Sequence, residues 1–79
     1  MSIQLPNLQD IEAAAQVVYQ SFQATPQYRW ATLTQRLGAD CWVKHENHTP
    51  VGAFKIRGGL TFFDALQRRG AVPRAVICA

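Results

Sequence analysis

The run Thr49-Pro50-Val51-Gly52 imposes the sharpest break on this chain. Proline fixes its own φ and pushes the residue before it out of the helical region, and glycine admits backbone angles that other residues avoid. No helix continues through such a segment, so Asn47 to Gly52 reads as a loop. A helical pattern begins directly after it. Ile56, Leu60, Phe63 and Leu66 recur at helical spacing within a helix expected from about Ala53 to Arg69, with Gly70 and Pro73 ending it. Lys55 therefore stands at the start of a helix, beside Phe54 and Ile56 and just behind a turn. A lysine packed among apolar neighbours is pushed toward its neutral amine, the form that condenses with an aldehyde.

The remaining sequence gives four further elements. Leu8, Ile11, Ala15, Val18, Tyr19 and Phe22 share one face of a first helix that Asn7 caps and that ends before Thr25-Pro26. Trp30 to Leu37 forms a second, shorter helix with Gly38 as its left-handed stop. Cys41 to Glu46 reads as a strand. Ala75-Val76-Ile77-Cys78-Ala79 is wholly apolar and reads as a strand buried on both faces of a parallel sheet. The order helix, helix, strand, helix, strand is that of an α/β fold with an incomplete sheet.

At 79 residues the chain is one unit at most, and a chain of that size buries only about 60% of its unfolded surface. Its composition, 48% apolar and 16% charged, is too apolar for a disordered segment. A net charge of +3 from scattered basic residues does not make a nucleic-acid surface. The sequence has neither a signal peptide nor an apolar run long enough to span a membrane. It reads as a soluble chain of the cytoplasm. Cys41 and Cys78 sit in apolar runs and read as free, buried thiols. His45 and His48 flank Glu46, but a metal site needs three or four convergent ligands, so no metal is expected.

The runs Trp42-Val43-Lys44-His45-Glu46-Asn47 and Thr49-Pro50-Val51-Gly52-Ala53-Phe54-Lys55-Ile56-Arg57-Gly58-Gly59 resemble a signature of the threonine dehydratases and related serine/threonine dehydratases, roughly K-x-E-N-x-Q-P-T-G-S-F-K-I-R-G-A. Thr25-Pro26 and Leu33-Thr34-Gln35-Arg36-Leu37-Gly38 resemble that family's T-P-L segment and its L-S-x-x-L-G helix. The resemblance implies the N-terminal part of a pyridoxal-phosphate enzyme with a tryptophan-synthase-β-like fold, residues 1–79 forming one portion of the catalytic domain. By position, Lys55 corresponds to the lysine that holds pyridoxal 5'-phosphate as a Schiff base. Phe54 corresponds to the phenylalanine beside the cofactor ring, with pure packing as its alternative. Gly58 and Gly59 match a Gly-Ala pair that lets the helix pack closely. For Arg57 the choice lies between steering an anion and lying on the helix surface. Ala53, His48 and Val51 depart from the family's Ser, Gln and Thr, which leaves the substrate open.

The chemistry implied is β-elimination of a hydroxy-amino acid, threonine or serine, to a 2-oxo acid and ammonia by a homo-oligomeric ammonia-lyase. The cofactor stabilises a carbanion at Cα and the Lys55 amine takes the α-proton. The family's Ser-x-Gly-Asn-His loop and its glycine-rich phosphate loop have no counterpart in these residues, so the chain is expected to be inactive alone. The alternative is a non-catalytic module that docks onto a full-length dehydratase through the apolar strand at residues 75–79.

Overall fold

The computed structural model describes residues 3–77. Helix α1 (Leu8–Val18) begins at the expected cap. The Asn7 side chain accepts the Asp10 N–H at 2.8 Å, and the Asp10 carboxylate accepts the Asn7 N–H at 2.8 Å, a reciprocal capping box. The helix ends sooner than its apolar spacing suggests. Tyr19 and Phe22 leave it in a turn, their rings edge-on at 6.2 Å, and both face a cation on a later helix rather than continuing the helical stripe.

Beyond Thr25-Pro26 a short strand forms that the sequence did not announce. β1 (Gln27–Arg29) pairs antiparallel with β2 (Trp42–Lys44), in the register Gln27 to Lys44, Tyr28 to Val43 and Arg29 to Trp42. Two bonds extend the pairing at its ends, Trp30 N–H to the Cys41 carbonyl at 3.1 Å and His45 N–H to the Pro26 carbonyl at 2.9 Å. Helix α2 (Ala31–Leu37) bridges the strands and stops at Gly38, whose φ of 67° is the left-handed conformation expected there. An Arg29–Asp40 ion pair at 2.8 Å closes the same connection. After β2 the chain makes a single 3₁₀ turn (Glu46–His48), crosses the Pro-Val-Gly loop and enters α3 (Lys55–Arg68). α3 ends in a Schellman arrangement: Ala71 N–H reaches the Leu66 carbonyl at 2.9 Å and Gly70 N–H the Gln67 carbonyl at 3.1 Å, with Gly70 at φ 67°.

α1 packs on α3, and Val17, Leu60 and Phe63 line a concavity between the two helices. Among the described residues Val18 is the only buried apolar side chain, and no large side chain is fully buried. The α3 stripe is shallower than its periodicity promises: Ile56, Leu60 and Leu66 are half-buried and Phe63 is exposed. Leu8 and Ile11, read as part of α1's buried face, are exposed, because α3 covers only the C-terminal half of that helix.

The expected last strand is not formed over residues 75–77. Val76 and Ile77 are irregular and exposed, and Cys78 and Ala79 lie outside the described residues. A strand is stabilised by its neighbours in the ladder, and no strand lies beside this segment among the described residues. The architecture is thus a mixed helix-and-strand fragment. Its two-stranded sheet is antiparallel rather than parallel. No helix among the described residues is long and apolar enough to cross a membrane.

Candidate functional site

Lys55 opens α3, as its sequence position implies, but the apolar packing expected around it is not built. Its side chain is exposed, and the neighbouring Phe54 is 64% exposed. Both residues instead edge an open concavity of about 510 Å³, lined with Arg57, Gly58, Gly59 and Phe62. Among the described residues no carboxylate or carbonyl holds the Lys55 amine. Gly58 and Gly59 do not serve close helix packing, since a Cβ at either would meet nothing within 4 Å. They leave a gap on the helix surface between Phe54 and Phe62.

The approach to Lys55 is held by Thr49, which is buried. Its hydroxyl donates to the Ala53 carbonyl at 2.7 Å and accepts the Ala53 N–H at 3.0 Å, while its own carbonyl accepts the Gly52 N–H at 3.0 Å. Gly52 sits at φ 71°, where a side chain would be strained. The Thr-Pro-Val-Gly-Ala run is therefore a folded turn fastened by one hydroxyl.

The strongest polar constellation centres on Arg57, two residues after Lys55. Arg57 grips Glu46 with both arms of its guanidinium, Nε to Oε2 at 2.6 Å and Nη2 to Oε1 at 3.0 Å. The Thr25 hydroxyl donates to Glu46 Oε1 at 2.5 Å and accepts from Arg57 Nη2 at 3.3 Å. Arg57 Nη1 donates to the Tyr19 hydroxyl at 3.0 Å. The guanidinium carbon lies 5.5 Å from the centre of the Tyr19 ring and 5.4 Å from that of Phe22, within cation–π range. Lys44 Nζ reaches the Thr25 carbonyl at 3.5 Å. Four stretches of chain meet here: the turn after α1, the Thr-Pro segment, the 3₁₀ turn and α3. The hydrogen bonds from Arg57 and Thr25 hold the Glu46 carboxyl well below the usual carboxylate range, lowering it from 4.5 to about 2. The bond to Glu46, seconded by that to Tyr19, keeps Arg57 firmly charged.

Arg57 is thus neither an anion-steering group nor a surface arginine. Its partners Glu46, Thr25 and Tyr19 escape a linear reading because they sit far from it in sequence. One signal was present: Arg57 falls between Ile56 and Leu60, on the inward side of α3, where a cation needs a partner. The histidines belong to a separate cluster. His45 Nε2 accepts the Trp30 indole N–H at 3.1 Å, and its ring lies against Tyr28, Trp30 and His48. Among the described residues no group of three or more metal-ligating side chains converges. Cys41 is a free, half-buried thiol.

A lysine at a helix start, a Pro-Val-Gly turn fastened ahead of it and an apolar gap beside it suit covalent capture of a flat aldehyde. Comparison with known proteins gives this arrangement its family. Over 50 residues, 63% of this chain and 10% of the relative, the sequence is 37% identical to the biosynthetic L-threonine dehydratase of Haemophilus influenzae. Over 62 residues, 78% of this chain and 10% of the relative, it is 36% identical to the chloroplastic biosynthetic threonine dehydratase 1 of Solanum lycopersicum. The chain thus carries a segment of the threonine dehydratase family, and the resemblance read from its sequence stands. It spans about a tenth of the length of these curated relatives. No family model and no solved structure matches it.

Proposed function

We propose that this chain forms the lysine-bearing part of a pyridoxal-phosphate-dependent threonine/serine dehydratase of the tryptophan-synthase-β-like fold, working in the cytoplasm as part of a homo-oligomer. Lys55 is the residue that holds the cofactor. The observation that supports this reading is that Lys55 borders one concavity together with Phe54, Gly58, Gly59 and Phe62. The residues present fit a flat aromatic aldehyde. Lys55 supplies a primary amine without a competing partner among the described residues, Phe54 an apolar face, and Gly58, with Gly59, open room on the helix surface.

When bound, the cofactor supplies an electron sink for the pair left at the substrate Cα. The chain's own contribution is local. Lys55 Nζ would hold the cofactor and, as a free amine, would take the proton from the Cα of threonine or serine. Phe54 and Phe62 offer the cofactor ring apolar edges on that side of the helix. The 79 residues alone are proposed not to turn over substrate. Among the described residues the one cationic donor beside Lys55 at the concavity, Arg57, is already engaged by Glu46, Tyr19 and Thr25, and no further donor set stands there to grip a substrate carboxylate or a cofactor phosphate.

The test uses the fact that the chain has two lysines, Lys44 and Lys55. Incubation with pyridoxal phosphate, borohydride reduction and peptide mapping should place the adduct on Lys55. Labelling confined to Lys44 overturns the assignment, and turnover of threonine by the purified chain overturns the proposed inactivity.

One observation favours a second reading, a non-catalytic module that docks onto a full-length dehydratase: Val72, Val76 and Ile77 are exposed together beyond α3. Co-elution with a full-length threonine dehydratase in size-exclusion chromatography supports it, and independent elution removes it.

A further inference from the structure

We infer that the Glu46–Arg57 ion pair, seated on Thr25 and Tyr19, is a positioning device that aims the Lys55 amine. The inference rests on the reading of Lys55 as the cofactor lysine. Helix α3 begins without a side-chain cap: Phe54 occupies the N-cap position and contributes only its carbonyl, which accepts the Arg57 N–H at 3.2 Å. What fixes its first turn is Arg57, two residues after Lys55. Through Arg57 that turn is tied to the 3₁₀ turn by Glu46, to the Thr-Pro segment by Thr25 and to the end of α1 by Tyr19 and Phe22.

The geometry explains how a bond at Arg57 governs a side chain it does not touch. Successive helical residues are about 100° apart, so Lys55 and Arg57 point roughly to opposite sides of α3. Pinning Arg57 inward turns Lys55 outward, consistent with a half-buried arginine and an exposed lysine. Glu46 and Arg57 also bracket the loop that delivers Lys55. The pair closes that loop at its base while Thr49 fastens its middle. A two-armed guanidinium–carboxylate contact sets orientation as well as distance, which a lysine at position 57 would not do.

The test reads Lys55 itself rather than turnover. The initial rate of pyridoxal-phosphate adduct formation at Lys55, trapped by borohydride, is compared among variants of the full chain under conditions where far-UV circular dichroism shows each to be folded. Arg57→Lys, which keeps the charge and loses the fork, should lower the rate roughly tenfold or more, the scale on which small misplacements of reacting groups act. Glu46→Gln should do the same, and the double variant should fall no further, since the two act as one unit. Leu60→Ala weakens α1–α3 packing without touching the pair and should leave the Lys55 rate unchanged. Preferential Lys55 labelling that persists unaltered in Arg57→Lys and Glu46→Gln overturns this inference and leaves the cofactor reading intact. An equal loss in Leu60→Ala also overturns it, by showing that general loosening suffices. Absence of Lys55 labelling in the parent chain overturns both.

Discussion

Glu46 is the residue whose chemistry the fold changes most. A carboxyl lowered from 4.5 to about 2 in the folded chain binds its proton less readily than it does unfolded. Its contribution to stability is therefore fully present above pH 4.5 and is lost as the pH falls toward about 2. Denaturant titrations across that window should show a steep acid loss in the parent chain, and Glu46→Gln should flatten the curve there while leaving its slope near neutrality unchanged. An identical acid profile in the variant would mean that the ion pair does not couple to folding. Gly58 poses the opposite case. Glycine inside a helix costs about 1 kcal/mol relative to alanine, and a Cβ here meets open space. Gly58→Ala should thus raise thermal stability by an amount near that figure. It should also slow adduct formation at Lys55, because the added methyl narrows the concavity it lines. Gain in stability with loss of labelling is the signature of a position kept small for a ligand.

At the scale of elements, the sequence revealed what local chemistry decides and concealed what pairing decides. The Asn7 cap and the Gly38 stop follow from the backbone preferences of one or two residues and stand as read, whereas the loop read over Asn47 to Gly52 begins only after a 3₁₀ turn that takes in Asn47 and His48. β1 was concealed because Gln27-Tyr28-Arg29 is too short to show a pattern; it is a strand only because β2 lies beside it. The converse holds at 75–77, where an apolar run with no neighbouring strand stays irregular. The site divides along the same line. The place of Lys55 at the head of α3 was legible from the turn ahead of it, whereas the Glu46–Arg57–Thr25–Tyr19 clasp exists only once four stretches of chain are brought together. The capping box offers a direct check on the local part. Asn7→Ala removes the acceptor for the Asp10 N–H and should cost about 1 kcal/mol, seen as a lower thermal midpoint and reduced helicity. If the variant melts with the parent, α1 is held by its packing on α3 alone.

The whole molecule is open for its length. Its radius of gyration is 16.4 Å and its extents are 50 × 30 × 24 Å, whereas a compact chain of this many residues would have a radius near 11.6 Å. The spread follows from the shallow core. Val18 is the one buried apolar residue among those described, while Leu8, Ile11, Trp42, Phe54 and Phe62 remain more than half exposed. With so little surface removed from water, unfolding exposes little more, and the denaturant dependence of stability scales with that exposure. The isolated chain should therefore unfold in urea over a broad transition, with an m-value below about 1 kcal/mol/M, the lower end for small domains. It should bind a hydrophobic dye such as ANS before any denaturant is added, because its apolar side chains already face water. A steep transition without dye binding would mean that the chain buries in solution what the fold leaves exposed. Sedimentation at rising concentration would then tell whether a second copy provides the cover. Weak cooperativity with strong dye binding would instead mark a chain whose apolar faces stay open to water, as the fold leaves them.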